Sequence, residues 1–198
     1  MKAKNLCFGL AAALICVLLA MDASAGTFNP FYIYSNKRAD VNHYAPSGWM
    51  GDSGAIKFSD GWPKDTYAGP SCVQIKYLAS KSTKEKWAGM YWQDPPNNWG
   101  DKIGGHDLVG AKKLVFAIRG ENGGEVVNDI FVGGIKGKYA DSCSIAIGPI
   151  ELTKEWEVYE VDLEGQDLSN VIGGFGWSTN MASNPNGCTF YIDEIRFE

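Results

Sequence analysis

Apolar residues recur at alternate positions in short runs along the chain. In Lys113–Arg119, Leu114, Phe116 and Ile118 fall on one side, and Lys113 and Arg119 on the other. In Cys72–Tyr77, Val73, Ile75 and Tyr77 oppose Gln74 and Lys76. A period of two with one apolar face is what a strand with one buried face requires. Similar runs, separated by Gly, Pro, Asn and Asp turn signals, are Phe31–Tyr34, Ala55–Phe58, Cys72–Leu78, Trp87–Gln93, Lys113–Arg119, Glu125–Val132, Ser144–Leu152, Trp156–Leu163, Val171–Ser178 and Cys188–Phe197. The pattern predicts an all-β sandwich of two packed antiparallel sheets. In the last run the apolar parity switches between Phe190/Ile192 and Ile195/Phe197, so either both faces are buried or a bulge sits near Asp193-Glu194. Helical periodicity is confined to single turns at Asp107-Leu108-Val109 and Asp167-Leu168-Ser169. The charged Lys81–Lys86 stretch reads as a solvated hairpin tip. Asn42–Asp52 fits none of these patterns.

The first 25 residues follow different rules. Lys2 and Lys4 precede an apolar stretch from Leu6 to Met21, and Ala23-Ser24-Ala25 offers an A-x-A cleavage site. Residues 1–25 therefore read as a signal peptide, and residues 26–198 as one domain long enough to bury a core. A cleaved leader predicts a secreted or periplasmic protein, with no membrane span in the mature form. The formal net charge is −5, and loss of the leader makes it one unit more negative. A phosphate backbone calls for a basic face, so nucleic acid is excluded as the expected partner. Export permits disulfides. Cys143 and Cys188 both lie in polar, turn-rich stretches and are the expected pair, while Cys72 opens an apolar strand. No Cys/His spacing suits zinc.

Three stretches together carry a resemblance. They are Trp87-Ala88-Gly89-Met90-Tyr91-Trp92-Gln93 with Pro95-Pro96-Asn97-Asn98-Trp99-Gly100, then Leu114–Glu121 with Gly123-Gly124-Glu125, then Leu152–Leu163 with the ending Phe190-Tyr191-Ile192-Asp193-Glu194-Ile195. In order and spacing the chain resembles the galactose-binding-like β-jelly-roll domains that serve as carbohydrate-binding modules beside secreted polysaccharide hydrolases. The resemblance runs from about Trp49 to the end. It implies a jelly-roll sandwich, a glycan or polysaccharide ligand, and a secreted hydrolase or surface assembly as partner. It also implies a structural Ca²⁺ on the final-strand acid, here Asp193, with Asp40, Asp52 and Asp60 available as further oxygen ligands.

Sugar recognition needs flat aromatic faces for pyranose C–H surfaces and fixed polar groups for hydroxyls. Tyr91, Trp92, Gln93, Asn97, Asn98 and Trp99 supply both within nine residues. Pro95-Pro96 stiffens that loop. Tyr91 and Trp92 point to opposite sides of a strand, so one of them is expected to be exposed. Trp177, beside Gly173-Gly174-Phe175-Gly176, is a further candidate, as is Trp62. Trp49 and Trp156 are expected in the core. Arg119, on the polar side of its strand, suits a sugar hydroxyl or a uronate carboxylate, or a salt bridge to Glu121 or Glu125.

The expected function is non-catalytic carbohydrate binding. One alternative is a small glycan-active hydrolase on the same fold. It would need two carboxylates flanking one bond. Glu121 and Glu125 could lie near one another, as could Asp193, Glu194 and Glu198, although Glu194 and Glu198 are about 13 Å apart at ~3.3 Å per residue unless the strand bends. The other alternative is a structural or protein-interaction module without a sugar ligand.

Overall fold

A computed structural model describes residues 28–198; the expected leader, residues 1–25, lies outside them. The described chain forms strands β1 (Phe31–Tyr34), β2 (Ala45–Gly51), β3 (Ile56–Trp62), β4 (Cys72–Tyr77), β5 (Trp87–Gln93), β6 (Lys113–Gly120), β7 (Val126–Val127), β8 (Asp129–Gly133), β9 (Ser144–Ile147), β10 (Ile150–Glu151), β11 (Glu157–Asp162), β12 (Gly173–Asn180) and β13 (Cys188–Phe197). One large sheet runs β11-β6-β13-β4-β3, with β1 also paired to β13, a second runs β2-β5-β12-β8-β9, and β10 and β7 form a small two-stranded antiparallel sheet. All the pairings are antiparallel. Among the described residues no helix is long and apolar enough to cross a membrane.

The alternating faces pack against each other. Leu114, Phe116 and Ile118 of β6 and Val73, Ile75 and Tyr77 of β4 are buried in the core, as their period implies. The opposite sheet contributes Met90, Trp92, Phe175, Trp177, Ile130 and Val132. Aromatic contacts tie the layers together. Phe175 lies 5.4 Å from Trp92 and 5.3 Å from Phe116, between centroids.

The parity switch in β13 is a bulge. The register shifts between Asp193 and Arg196, and Glu194 has φ +50°. The extra residue turns Ile195 and Phe197 inward, so both halves of the strand face one core. β4 pairs with the first half of β13 and β1 with the second.

Several sequence expectations change. The unassigned Asn42–Asp52 segment contains β2, the edge strand beside β5. An edge position leaves one side of the ladder unpaired, so Pro46 is tolerated there and the usual strand signal is lost. Ser144–Leu152 is split by Gly148-Pro149 into β9 and β10, and Glu125–Val132 divides into β7 and β8. The expected turns at Asp107 and Asp167 are not helical. Each carboxylate instead caps the N–H two residues on (3.0 Å to both Val109 and Ser169). The short 3-10 turns lie at Ser53–Ala55 and Ala79–Lys81. Lys81–Lys86 is not a hairpin tip, because β4 and β5 belong to different sheets and this stretch crosses between them.

The expected Cys143–Cys188 bridge is absent. Cys72, Cys143 and Cys188 are all free and buried. Cys143 packs against Gly133 at the edge of one sheet, whereas Cys188 opens β13 of the other, beside Thr179. Polar flanks indicate turns, not the direction in which a side chain points. Burial pushes the thiols up, to about 12 for Cys72 and Cys188 and about 11 for Cys143. Protonated, buried thiols are poor nucleophiles. Native protein at pH 8 is therefore expected to resist iodoacetamide, and denatured protein to be alkylated at Cys72, Cys143 and Cys188, as read by peptide mass mapping.

Candidate functional site

β5 and β12 pair in the middle of the five-stranded sheet, and their alternation sorts the aromatic residues. Trp92 (1% exposed) and Trp177 (0% exposed) point inward. Neither ring presents a face to solvent, so the two indoles named from sequence are core residues. The opposite parity carries Trp87, Gly89, Tyr91, Gly176, Ser178 and Asn180 to the outer face, joined by Met50 from β2 and Asp129 and Phe131 from β8.

These residues frame a groove. Met50, Glu85, Lys86, Trp87, Asn128, Asp129, Phe131, Ser178 and Asn180 line a depression of about 440 Å³. Its floor is low because the central positions are small. A Cβ on Gly89 would collide with the Trp177 carbonyl, and one on Gly176 would lie 2.7 Å from the Tyr91 ring. Glycine is thus required for sheet geometry and ring packing, and it also leaves the groove open.

Trp87 and Phe131 supply the aromatic lining, while Tyr91 is only 7% exposed, so neither ring of the Tyr91-Trp92 pair is open to solvent, although one was expected to be. Tyr91 stacks on Phe131 (5.6 Å, 28°) and meets Trp99 edge-on (6.1 Å, 89°). Its hydroxyl donates to Gly133 O at 3.0 Å, and burial raises its pKa. Trp99 is 43% exposed. Trp87, half-buried, leans over Gly51 at the other end. Polar groups are fixed within the depression: Ser178 Oγ donates to Asp129 Oδ2 at 2.5 Å.

Of the amides named from sequence, Gln93 and Asn98 are engaged inside the loop, while Asn97 is exposed. Gln93 is fully buried; its Nε2 donates to Asn98 O (2.8 Å) and its Oε1 accepts from Ser47 Oγ (3.0 Å). Asn98, also fully buried, accepts from the Gly100 and Lys102 N–H groups (3.0 and 3.2 Å). Asn97, at φ +56°, donates its N–H to Ser47 Oγ at 2.9 Å. Together they hold Trp99 at the surface. Arg119 lies on the outer face of the other sheet, so it belongs to no common site with Trp99. Trp49 and Trp156, expected in the core, are both at the surface. Trp49 is exposed edge-on to Phe58 (5.9 Å), and Trp156 rests beside Arg119. Their β2 and β11 positions are at or beyond sheet edges, where alternation no longer reports burial.

The groove residues Trp87, Phe131 and Ser178 were not singled out from sequence. The one available signal was Gly89, a glycine inside an otherwise bulky strand.

The four acids expected to hold Ca²⁺ do not converge. Asp193 Oδ2 accepts the Tyr67 and Ala68 N–H groups (3.0 and 3.1 Å), and Oδ1 accepts that of Glu194 (2.9 Å). Burial nevertheless pushes its carboxyl up, to about 6. Asp60 pairs with Lys37 at 3.1 Å, and Asp40 is exposed. A carboxylate surrounded by N–H donors is in an anion's environment, so these residues do not fit a shared cation. Among the described residues no group of three His, Cys, Asp or Glu is arranged to hold a metal. The acids considered as a hydrolytic pair are also engaged elsewhere. Glu121 accepts from the Tyr191 hydroxyl, Glu125 from the Asn122 N–H, and Glu194 and Glu198 both pair with Arg196.

Asp52 serves the groove differently. Its Oδ2 accepts from Ser82 Oγ (2.9 Å) and from the N–H groups of Lys84, Glu85 and Lys86 (3.1, 3.0 and 3.0 Å). Desolvation opposes ionisation, but these donors outweigh it and hold the carboxyl below its ordinary range. A depressed pKa gives a clamp that is present above the unfolded carboxylate pKa and is lost as pH falls through the lowered value. Asp52→Ala is expected to speed amide exchange at Lys84–Lys86 at neutral pH. In the wild type, lowering the pH through the depressed carboxyl pKa is expected to reduce the protection of these amides relative to their intrinsic exchange rates.

No known family profile matches the sequence, and no curated protein matches it. Solved structures do match. A family 30 carbohydrate-binding module is similar with a TM-score of 0.58 and 16% identity, over 87% of this chain and 89% of that one. A second family 30 module gives 0.56 and 18%, over 86% and 98%. The family 30 module of a cellulosomal cellulase from Clostridium thermocellum gives 0.55 and 17%, over 86% and 97%. At these identities the likeness is one of fold. The chain has the jelly-roll β-sandwich fold of carbohydrate-binding modules.

Proposed function

We propose that this chain is an exported, non-catalytic carbohydrate-binding protein, and that it takes a glycan along the groove on the outer face of the five-stranded sheet. The observation that carries the reading is the groove itself, a glycine-floored depression lined by Trp87, Phe131 and Met50 with the Ser178–Asp129 pair inside it. Aromatic walls suit the C–H faces of pyranose rings, and the fixed hydroxyl, carboxylate and amide groups suit sugar hydroxyls. The solved structures of similar fold are carbohydrate-binding modules. Export rests on the signal-peptide pattern of residues 1–25.

The test is a panel of neutral polysaccharides screened for binding and, in the same samples, for released reducing ends. Retention by at least one polymer without product release supports the proposal. Product release lost on Asp129→Asn or Glu85→Gln would move the assignment to a hydrolase. Absence of retention across the panel would favour the interaction-module reading.

A further inference from the structure

The second sheet carries an arginine whose surroundings the groove does not explain. Arg119 leaves β6 on the outer face. Its guanidinium carbon lies 4.0 Å over the Tyr191 ring and 5.4 Å from the Trp156 ring. The side chain is only 11% exposed, yet its Nε has no hydrogen-bond partner. Nη1 donates to Gly120 O at 3.0 Å. Nη2 faces the Asp65 carboxylate at 3.8 Å, too far for a hydrogen bond. Asp65 itself is 83% exposed. The rings therefore hold a flat cation in place, and its outer edge meets a carboxylate from the solvent side only loosely.

The rim has the chemistry of a sugar platform. Tyr67 is 46% exposed and lies 5.9 Å from Trp156, whose Nε1 donates to Asp65 O at 2.9 Å. Trp62 meets Tyr191 at 6.3 Å, and Lys64 Nζ stands 5.8 Å from the Trp62 ring. Two cations, Arg119 and Lys64, stand at this aromatic rim with two carboxylates, Asp65 facing Arg119 and Glu121 accepting from the Tyr191 hydroxyl. A guanidinium matches a planar carboxylate in two parallel hydrogen bonds, while the rings match a pyranose face.

We propose that Arg119 and its aromatic rim form a second binding site, separate from the groove, for a carboxylate-bearing sugar, and that Asp65 occupies the place of the ligand's carboxylate when the site is empty. A neutral sugar would leave both cations unused; a uronate would use them and the rings together. The site does not depend on the groove's being a glycan site.

Affinity electrophoresis of the full chain in gels containing polygalacturonate, or its methyl ester, tests this. The wild type is expected to be retarded by the acid polymer at low salt and not by the ester. Asp65→Asn removes the competing carboxylate and is expected to tighten binding about 2–5-fold, the scale of an exposed ion pair. Asparagine also tolerates the φ of +48° at this position. Trp62→Ala and Arg119→Gln are expected to abolish retardation, and Trp87→Ala in the groove to leave it unchanged. Failure of both wild type and Asp65→Asn to be retarded overturns the proposal. So does retardation that survives Arg119→Gln or is lost with Trp87→Ala. If Arg119→Gln does not fold, the sign of the Asp65→Asn effect decides alone.

Discussion

Trp92→Ala is expected to lower the unfolding free energy by about 3–5 kcal/mol, the range for removing a fully buried aromatic side chain. Trp92 meets Phe175 at 5.4 Å and Phe58 at 5.9 Å, both at steep angles, and these rings link the two sheets. Truncation leaves a hole between layers whose backbone is held by ladders on both sides, so the cavity cannot readily close. Against a total stability of about 5–15 kcal/mol this is a large share. The midpoint of thermal unfolding should fall by roughly 6–20 °C, at about 2–4 °C per kcal/mol for a chain of this size. Calorimetry on wild type and Trp92→Ala checks it. A midpoint that stays within a degree or two, with glycan binding lost, would mean that the ring faces a ligand in solution and that this burial is wrong.

The second large effect belongs to Trp87, and it should appear in binding and not in stability. Trp87 is half-buried at one end of the groove, its ring lying over Gly51, with room above it. Trp87→Ala removes an apolar wall from the groove while leaving the core intact. Loss of an aromatic anchor of this kind costs about 2 kcal/mol, near thirtyfold in Kd. Isothermal titration with whichever neutral polysaccharide or oligosaccharide the panel identifies provides the measurement. Trp99→Ala should weaken binding less, because Trp99 touches the groove only through its edge contact with Tyr91. Unchanged affinity in Trp87→Ala would move the ligand off this face.

The two tryptophans show how far the sequence reaches. Strand alternation placed Tyr91 and Trp92 on opposite sides of β5, and that separation holds. Which side was the core could not be read from β5 alone, because WAGMYWQ is apolar on both sides. Packing decided it: the opposing sheet offers Phe58 and Phe116 to the core that the even-numbered face of β5 enters, with Phe58 set against Trp92. The odd-numbered face, with no sheet over it, became the groove. The same logic accounts for Trp49 and Trp156, whose indoles looked like core but sit at edges. It also accounts for the amides of Gln93 and Asn98, whose polarity suggested a ligand but satisfies buried loop backbone.

By itself the sequence determined the all-β class, most strand positions, the inner faces of β4 and β6, and the irregularity in β13. All of these follow from period-two burial and turn chemistry, which act over a few residues. The tertiary structure decided what depends on neighbours distant in the chain. It brought β2, β5, β12 and β8 into one open face and carried Arg119 to the opposite one. It scattered the acids expected to share a cation and kept Cys143 and Cys188 apart. The physical reason is that a side chain's alternation specifies only two sides of a strand. Whether a side meets another sheet, a loop or water is set by long-range pairing.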